Sequence, residues 1–523
     1  MDELLKIKPR EYQQKIFENC RDKNCLVVLP TGVGKTLIAL MLAIHVLKTQ
    51  KGKVLFLAPT RPLAEQHLVY FKKHLPELFA ELTLFTGKTQ SKEREKLYSR
   101  ADIIFSTPQC IQNDVKNQIY TIEDVTLLII DESHRSLKNY AYTYIARTYQ
   151  QQAKNKRVLG LTASPGTDRK TIEQIAKNLS IETVEMRTRD SDDVKPYLQD
   201  LEFKTIPLEF PAAFKEIVDI IKTIQQRKIQ ELRNRKVLFG PANKTQILQL
   251  QAKLMGQISS GSKNFNLFSA VSATSQAIKL AHLIELLETQ SLYSANIYIK
   301  SMFDQAAQEK SKAVQQIIKN PDFNRAYLKI NELIAKNIEH PKLLELKSIA
   351  QELIQKNKKN KIIVFSQYRD TVIKINQELN KIPDIISKVF VGQAKKIDSG
   401  LSQKEQQVIM EEFKRGEINA IAATSIAEEG LDIPEVNAVI FYEPIPSAIR
   451  KIQRAGRTAR LMKGELIILL TKDTLDEIFY YTARSREKRM YKVIQDIQKD
   501  VNEGKPLYKE LKEEEEEKQK RLF

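Results

Sequence analysis

The sequence predicts an α/β protein, with two doubly wound parallel-sheet lobes and an all-helical domain inserted between them. Apolar runs of strand length alternate with helical patterns from residue 25 to residue 162, and the alternation resumes at residue 361. These runs end in short polar motifs, where a doubly wound sheet gathers its ligands. Between the two halves, residues 201–345 show helical periodicity, few glycines and no such motif. The domains expected are 1–200 (first lobe), 201–345 (helical insertion), 346–470 (second lobe) and 471–523 (a C-terminal helix and an acidic, disordered tail). A chain of 523 residues is too long for one core.

In order, Pro9-Arg10-Glu11-Tyr12-Gln13-Gln14 precedes a helical pattern. The Gln13 amide offers both a donor and an acceptor, so it can read an adenine edge, and Arg10 is grouped with it. The apolar run Cys25–Leu29 reads as a buried strand, and Leu29-Pro30-Thr31-Gly32-Val33-Gly34-Lys35-Thr36 leads from it into the helix Leu37–Leu47. Glycines at 32 and 34 let the backbone from Thr31 through Val33 to Gly34 wrap an anion. Lys35 can reach β- and γ-phosphates, and the Thr36 hydroxyl can ligate Mg²⁺. The strict motif has glycine where Leu29 stands. Leu26–Leu47 is long enough for a membrane span, but Pro30 and Lys35 inside it argue for strand plus buried helix. No transmembrane segment and no membrane partner are expected.

Strand, polar turn and helix recur four more times. Lys53–Ala58 leads into Pro59-Thr60-Arg61-Pro62, and Asp102–Ser106 into Thr107-Pro108-Gln109. Thr126–Ile130 leads into Asp131-Glu132-Ser133-His134, and Arg157–Thr162 into Ala163-Ser164-Pro165-Gly166. Asp131, ending a buried strand in a phosphate-loop domain, is placed to hold Mg²⁺ through water. Glu132 can orient and deprotonate an attacking water, and His134 can couple that site to the neighbouring lobe. A lone Asp-Glu pair would more often be a helix cap; four preceding apolar residues and the presence of Lys35 favour the catalytic reading. In the second half, Lys361–Tyr368 is another strand running into a polar turn. Arg457 and Arg460 lie one helical turn apart, so both can face one γ-phosphate.

Hydrophobic content of 42% with 28% charged residues is ordinary for a globular protein, but a net charge of +19 and a pI near 9.4 are not. They imply a polyanion, nucleic acid before membrane, or else a generally lysine-rich composition. Three cysteines without a CxxC pair argue against zinc or a disulfide framework and fit a reduced, cytoplasmic setting.

GVGKT, DESH and TAS in this order resemble the superfamily-two helicases, whose lobes are RecA-like. Ala422–Asp432 is similar to the fifth motif of that family, with Gly430 and Asp432 on the nucleotide side. Gln453-Arg454-Ala455-Gly456-Arg457-Thr458-Ala459-Arg460 is similar to the sixth. Ala58–Gln66, Phe390–Ala394, Gly400–Gln406 and Tyr442–Arg450 resemble the archaeal Hef helicases, relatives of the FANCM-type fork remodellers and, more distantly, of the Dicer and RIG-I-like RNA ATPases. The resemblance covers roughly residues 8–500. It implies an ATP-driven, Mg²⁺-dependent DNA helicase or translocase acting on stalled forks and Holliday junctions in repair, nucleoid-associated. Lys35, Asp131, Glu132, His134, Gln453, Arg457 and Arg460 would be catalytic. Thr60, Arg61, Thr86, Gly87, Thr107, Gly392, Gln393 and Thr424 would line the nucleic-acid track. Ser133 stands where Hef-like proteins have alanine, so DNA against RNA stays open. The alternatives are a double-stranded-RNA-stimulated ATPase and a junction-binding scaffold with a vestigial ATP site.

Residues 221–280 hold ten Lys or Arg and one acid, Glu231. This predicts an arm that grips phosphates, through Arg233, Arg235 and Lys236 among others, unless it is a solvated helical face. Five glutamates in Lys512–Lys518 predict a disordered tail, and Gln519–Phe523 faintly resembles a sliding-clamp peptide. No nuclease pattern follows, so a helicase-only version or a piece of a longer chain is expected.

Overall fold

The computed structural model describes residues 4–188, 191–197, 201–261, 264–392, 401–424, 436–444 and 464–508. The first lobe begins with α1 (Glu11–Cys20), β1 (Cys25–Val28), α2 (Lys35–Thr49), β2 (Lys53–Leu57) and α3 (Arg61–His74). It continues with β3 (Leu82–Phe85), α4 (Ser91–Arg100), β4 (Ile103–Ser106), α5 (Pro108–Lys116) and β5 (Val125–Asp131). It closes with α6 (Ala141–Gln152), β6 (Val158–Thr162), α7 (Arg169–Leu179) and β7 (Thr183–Met186). The sheet is parallel, in the order β3-β4-β2-β5-β6-β1-β7, with Val27 of β1 opposite Leu161 of β6. Helix α2 is buried on nearly every side, from Leu37 through Ile44, which explains the unbroken apolar run. Among the described residues no helix is long and apolar enough to cross a membrane.

The chain then forms β8 (Leu201–Leu208) and a bundle of α8 (Ala212–Asn234), α9 (Lys244–Ser259), α10 (Phe265–Thr289), α11 (Leu292–Ala307), α12 (Lys312–Ile318) and α13 (Pro321–Ala335). The second lobe starts with α14 (Pro341–Lys356), β9 (Ile362–Phe365), α15 (Arg369–Leu379), β10 (Ser387–Phe390) and α16 (Gln403–Arg415). It finishes with β11 (Ala420–Ala423), β12 (Ala438–Phe441), β13 (Gly464–Thr471) and α17 (Leu475–Asn502). Its sheet is also parallel, in the order β10-β11-β9-β12-β13-β8.

The two expected lobes and the helical insertion are present, with two differences at the boundaries. Residues 201–208, expected to open the insertion, instead form the edge strand β8 of the second sheet, paired along its length with β13. An edge strand exposes one side, so it lacks a continuous apolar run and tolerates Pro207. At the other boundary, α14 starts at Pro341 and buries Leu343, Leu346 and Leu353 in the second lobe. Helix α17 leaves the second lobe, yet it places Met490, Ile494 and Ile497 in the core of the first.

The bundle is fastened to the second lobe by polar groups near the end of α10. Glu285, Glu288, Thr289 and Gln290 are all buried. Tyr368 Oη donates to Glu285 Oε1 at 2.8 Å, Ser366 Oγ to Gln290 Oε1 at 3.0 Å, and Tyr442 Oη to Gln290 O at 3.1 Å. Burial opposes ionisation of Glu285, but His282, Lys244 and Tyr368 outweigh it and hold the carboxyl down at about 2, against an ordinary 4.5. A depressed carboxyl stabilises the fold above its unfolded value and loses that contribution as pH falls toward the folded one. Glu285→Gln is therefore expected to cost up to about 3 kcal/mol at neutral pH. The difference from wild type should shrink below pH about 4.5 and vanish near pH about 2, as read from melting curves against pH.

Candidate active site

The carboxyl ends of the first sheet divide the chemistry by position. Strands β1, β6 and β5 are neighbours and carry the phosphate loop, Thr162 and Asp131; β2, β4 and β3 lie beside them and end near Thr60, Thr107 and Thr86. Leu29 N donates to Thr162 O at 3.0 Å, which ties the start of the loop to β6. Gly32 and Gly34 take φ of 87° and 84°, in the left-handed region that side chains resist. A Cβ on Gly34 would also sit 2.2 Å from Gln13 Nε2, so any other residue here would be strained and would displace the Gln13 amide.

Helix α1 closes over the loop. Tyr12 Oη and Gln13 Nε2 both donate to Val33 O, at 2.6 and 3.2 Å, while Arg10 N donates to Gln13 Oε1 at 2.9 Å. Lys35 Nζ donates to Leu29 O at 3.2 Å. Arg10, Gln13, the loop from Thr31 to Thr36, Tyr70, Asp131 and Glu132 line one cavity of about 420 Å³, within the range of small-molecule sites.

Asp131 is buried and its Oδ2 lies 2.9 Å from His67 Nε2; His67 Nδ1 lies 3.5 Å from Thr36 Oγ1. One imidazole thus spans the two groups expected to hold Mg²⁺. Sequence reasoning passed over His67, and the available signal was a histidine (one of six) nearly two turns into the helix that Thr60-Arg61 opens.

Glu132 has φ of 49° and ψ of 47°, a left-handed conformation that is uncommon and costly for a non-glycine residue. Its Oε2 is buried without a well-aligned hydrogen bond; His134 Nδ1 is 3.2 Å away and is equally close to Thr162 Oγ1. Burial opposes its ionisation, but His134, Lys35 and Arg135 together hold the carboxyl down at about 2. His134 thus links Glu132 to β6 of its own lobe. The residues present fit Mg²⁺–ATP: a glycine cradle, two oxygen donors for the metal, a lysine, and a buried hydroxyl on Thr31 that lacks a hydrogen-bond partner.

Thr60 and Thr424 also carry buried hydroxyl oxygens without partners among the described residues. In the second sheet Gly392 follows β10 and Thr424 follows β11, its neighbour. Arg369 Nη2 donates to Gly392 O at 2.6 Å. Gln393, Gly430, Asp432, Gln453, Arg457 and Arg460 lie outside the described residues, as do the glutamate run and Gln519–Phe523.

Arg233, Arg235 and Lys236 sit at the end of α8, where the arm is less free in charge than its sequence suggests. Lys222 pairs with Glu288, Arg227 with Asp322, Lys228 and Arg235 with Glu231, and Lys244 with Glu285. Three of those four acids come from outside residues 221–280.

Three family models match the chain: "DEAD/DEAH box helicase" over residues 10–172, "Putative ATP-dependent RNA helicase, helical bundle" over 213–340, and "Helicase conserved C-terminal domain" over 345–462. The crystal structure of the Pyrococcus furiosus Hef helicase domain is similar at a TM-score of 0.70 and 41% identity, over 92% of this chain and 100% of that one. The chain is 37% identical to "Putative ATP-dependent RNA helicase MJ1505" of Methanocaldococcus jannaschii over 94% of its own length and 61% of that protein. It is 32% identical to the ATP-dependent DNA helicase mph1 of Neurospora crassa, over 90% of its own length and 41% of that protein. It thus spans less than two thirds of either curated relative. With two RecA-like lobes, a helical insertion and this phosphate site, the chain belongs to the Hef-type family of ATP-dependent superfamily-two helicases.

Proposed function

We propose that the chain hydrolyses ATP to move along or remodel DNA, with branched DNA such as forks and four-way junctions as its substrate in repair. The observation that carries this reading is the order of strand ends in the first sheet. The ATP chemistry occupies β1, β6 and β5, and the polar track continues directly onto β2, β4 and β3. A ligand along those ends therefore touches the same rigid layer that holds Asp131 and Glu132.

In this mechanism the glycine loop and Lys35 hold the phosphates, and Gln13 and Arg10 hold the base. Thr36 and Asp131 would bind Mg²⁺, which when bound neutralises phosphate charge. Glu132, kept ionised beside His134, orients water and accepts its proton. Gln453, Arg457 and Arg460 are proposed to complete the site from the second lobe when nucleic acid draws the lobes together, so that turnover follows closure. A nucleoid location and a sliding-clamp contact through Gln519–Phe523 belong to the same proposal.

The test is the ATPase rate with no ligand, single strand, linear DNA duplex, fork, four-way junction and RNA duplex. Strongest stimulation by fork and junction is the expected result. A relative described as an RNA helicase favours the second reading, a double-stranded-RNA-stimulated ATPase, which strongest stimulation by RNA duplex would establish.

The arm is read through its salt dependence. Reversing Arg233 or Lys236, which have no ion pair among the described residues, should flatten the log–log slope of fork binding by about one unit each. Reversing Arg235, already held by Glu231 at 3.0 Å, should change it less. Unchanged slopes for all three would remove the arm from the DNA path.

A further inference from the structure

Thr86 and Thr107 follow adjacent strands, and one buried arginine fastens together the segments they begin. Arg94 on α4 is 7% exposed and Asp114 on α5 is 1% exposed. The guanidinium meets the carboxylate in a fork, Nε to Oδ2 at 2.7 Å and Nη2 to Oδ1 at 2.5 Å. Its Nη1 turns the other way and donates to two loop carbonyls, Thr86 O at 3.3 Å and Thr89 O. Tyr120 Oη donates to Asp114 Oδ2 at 2.8 Å. Burial and the adjacent Asp114 charge push that phenol far above its ordinary value, so it stays a donor.

The loop's own hydrogen bonds are local. Thr89 N donates to Thr86 O at 3.1 Å, Lys88 N to Thr86 Oγ1 at 3.3 Å, and the two threonine hydroxyls lie 3.3 Å apart. They fold the loop on itself, and Arg94 supplies the anchor to the rest of the lobe. Gly87 at the crest is exposed, with nothing within 4 Å of where a Cβ would stand, so the outer side of the loop is open.

We infer that Arg94 is a positioning residue for nucleic-acid binding: through Asp114 it fixes the 86–89 loop against α5, and so sets the spacing between Thr86–Gly87 and Thr107. This rests on the reading of those residues as phosphate contacts. Phosphates along a strand come at fixed intervals, so two contact points serve one backbone only if their separation is held. The planar fork of arginine can grip a carboxylate and two carbonyls at once, which a lysine ammonium cannot. The pair is internally neutral and buried, so Arg94 is not itself a phosphate-binding cation.

The experiment is Arg94→Lys in the full chain, reading ATPase stimulation against nucleic-acid concentration and binding against salt. The half-saturating nucleic-acid concentration should rise about tenfold. The rate at saturation should stay near wild type, and the salt slope should not change. A direct phosphate contact would instead flatten the slope by about one unit. Wild-type half-saturation, a flattened slope, or a saturating rate that falls as far as the affinity would each overturn the inference. If the lysine variant does not fold, Asp114→Asn, which keeps one acceptor for the guanidinium, should show a smaller loss in the same direction, and no loss there overturns it. Absence of stimulation in the wild type would sink the underlying reading instead.

Discussion

Glu132→Gln is expected to lower ATP turnover by about three orders of magnitude while leaving ATP binding intact. The substitution keeps the size of the side chain and removes its charge and its basicity. Glu132 is held in a left-handed backbone between β5 and the turn that follows, with its carboxyl held down at about 2 by His134, Lys35 and Arg135. A carboxylate kept ionised at a strained position is fixed in place to orient water, and its strain is a cost to stability. Lys35, Thr36 and the glycine loop are untouched by the change, so affinity for a fluorescent ATP analogue should match wild type. Phosphate release measured with and without DNA gives the decisive reading. Unchanged turnover would remove the mechanism and favour a junction-binding scaffold.

The second large effect is on stability. Lys342 of α14 and Asp476 at the start of α17 are both wholly buried and paired with each other. Lys342 Nζ also donates to Thr289 O at 3.0 Å, and Asp476 Oδ2 accepts from Thr471 N at 3.0 Å. Burial pushes the Asp476 carboxyl up despite Lys342, a sign that desolvation outweighs the attraction. Removing one partner leaves an uncompensated charge in the interior. Asp476→Ala should therefore cost about 3–5 kcal/mol, whereas replacing both residues by methionine and leucine should come close to wild type or exceed it. Thermal melts of the two single variants and the double variant measure this directly. An Asp476→Ala protein as stable as wild type would mean that water reaches the pair.

What was legible in the sequence was chemistry confined to a few consecutive residues. A phosphate loop needs a strand, two glycines, a lysine and a threonine in order, and Leu29–Thr36 supplies them within eight positions. The central strands announced themselves because both faces are covered, which demands runs such as Val125–Ile130. The edge strands β3, β7 and β8 did not: β3 is mostly half-buried, β7 carries Glu185 within its four residues, and β8 has several exposed positions. His67 stayed hidden because its partners Asp131 and Thr36 are distant in sequence and meet only when β5, β1 and α3 pack. Part of the arm's charge balance was hidden for the same reason: Glu285, Glu288 and Asp322 pair with Lys244, Lys222 and Arg227, far from them along the chain. Local order is written in short windows, and pairing across the fold is not.

Helix α17 is rooted at both ends, by Asp476 beside the second lobe and by Met490, Ile494 and Ile497 in the first. Its 28 residues make a rod of about 42 Å. A rod pinned in two bodies forbids them to slide apart along its length, because either the buried ion pair or the apolar anchor would have to be withdrawn. The apolar anchors run over about two turns of helix and do not meet at one point, so the rod acts as a tie beam that carries load from one sheet into the other.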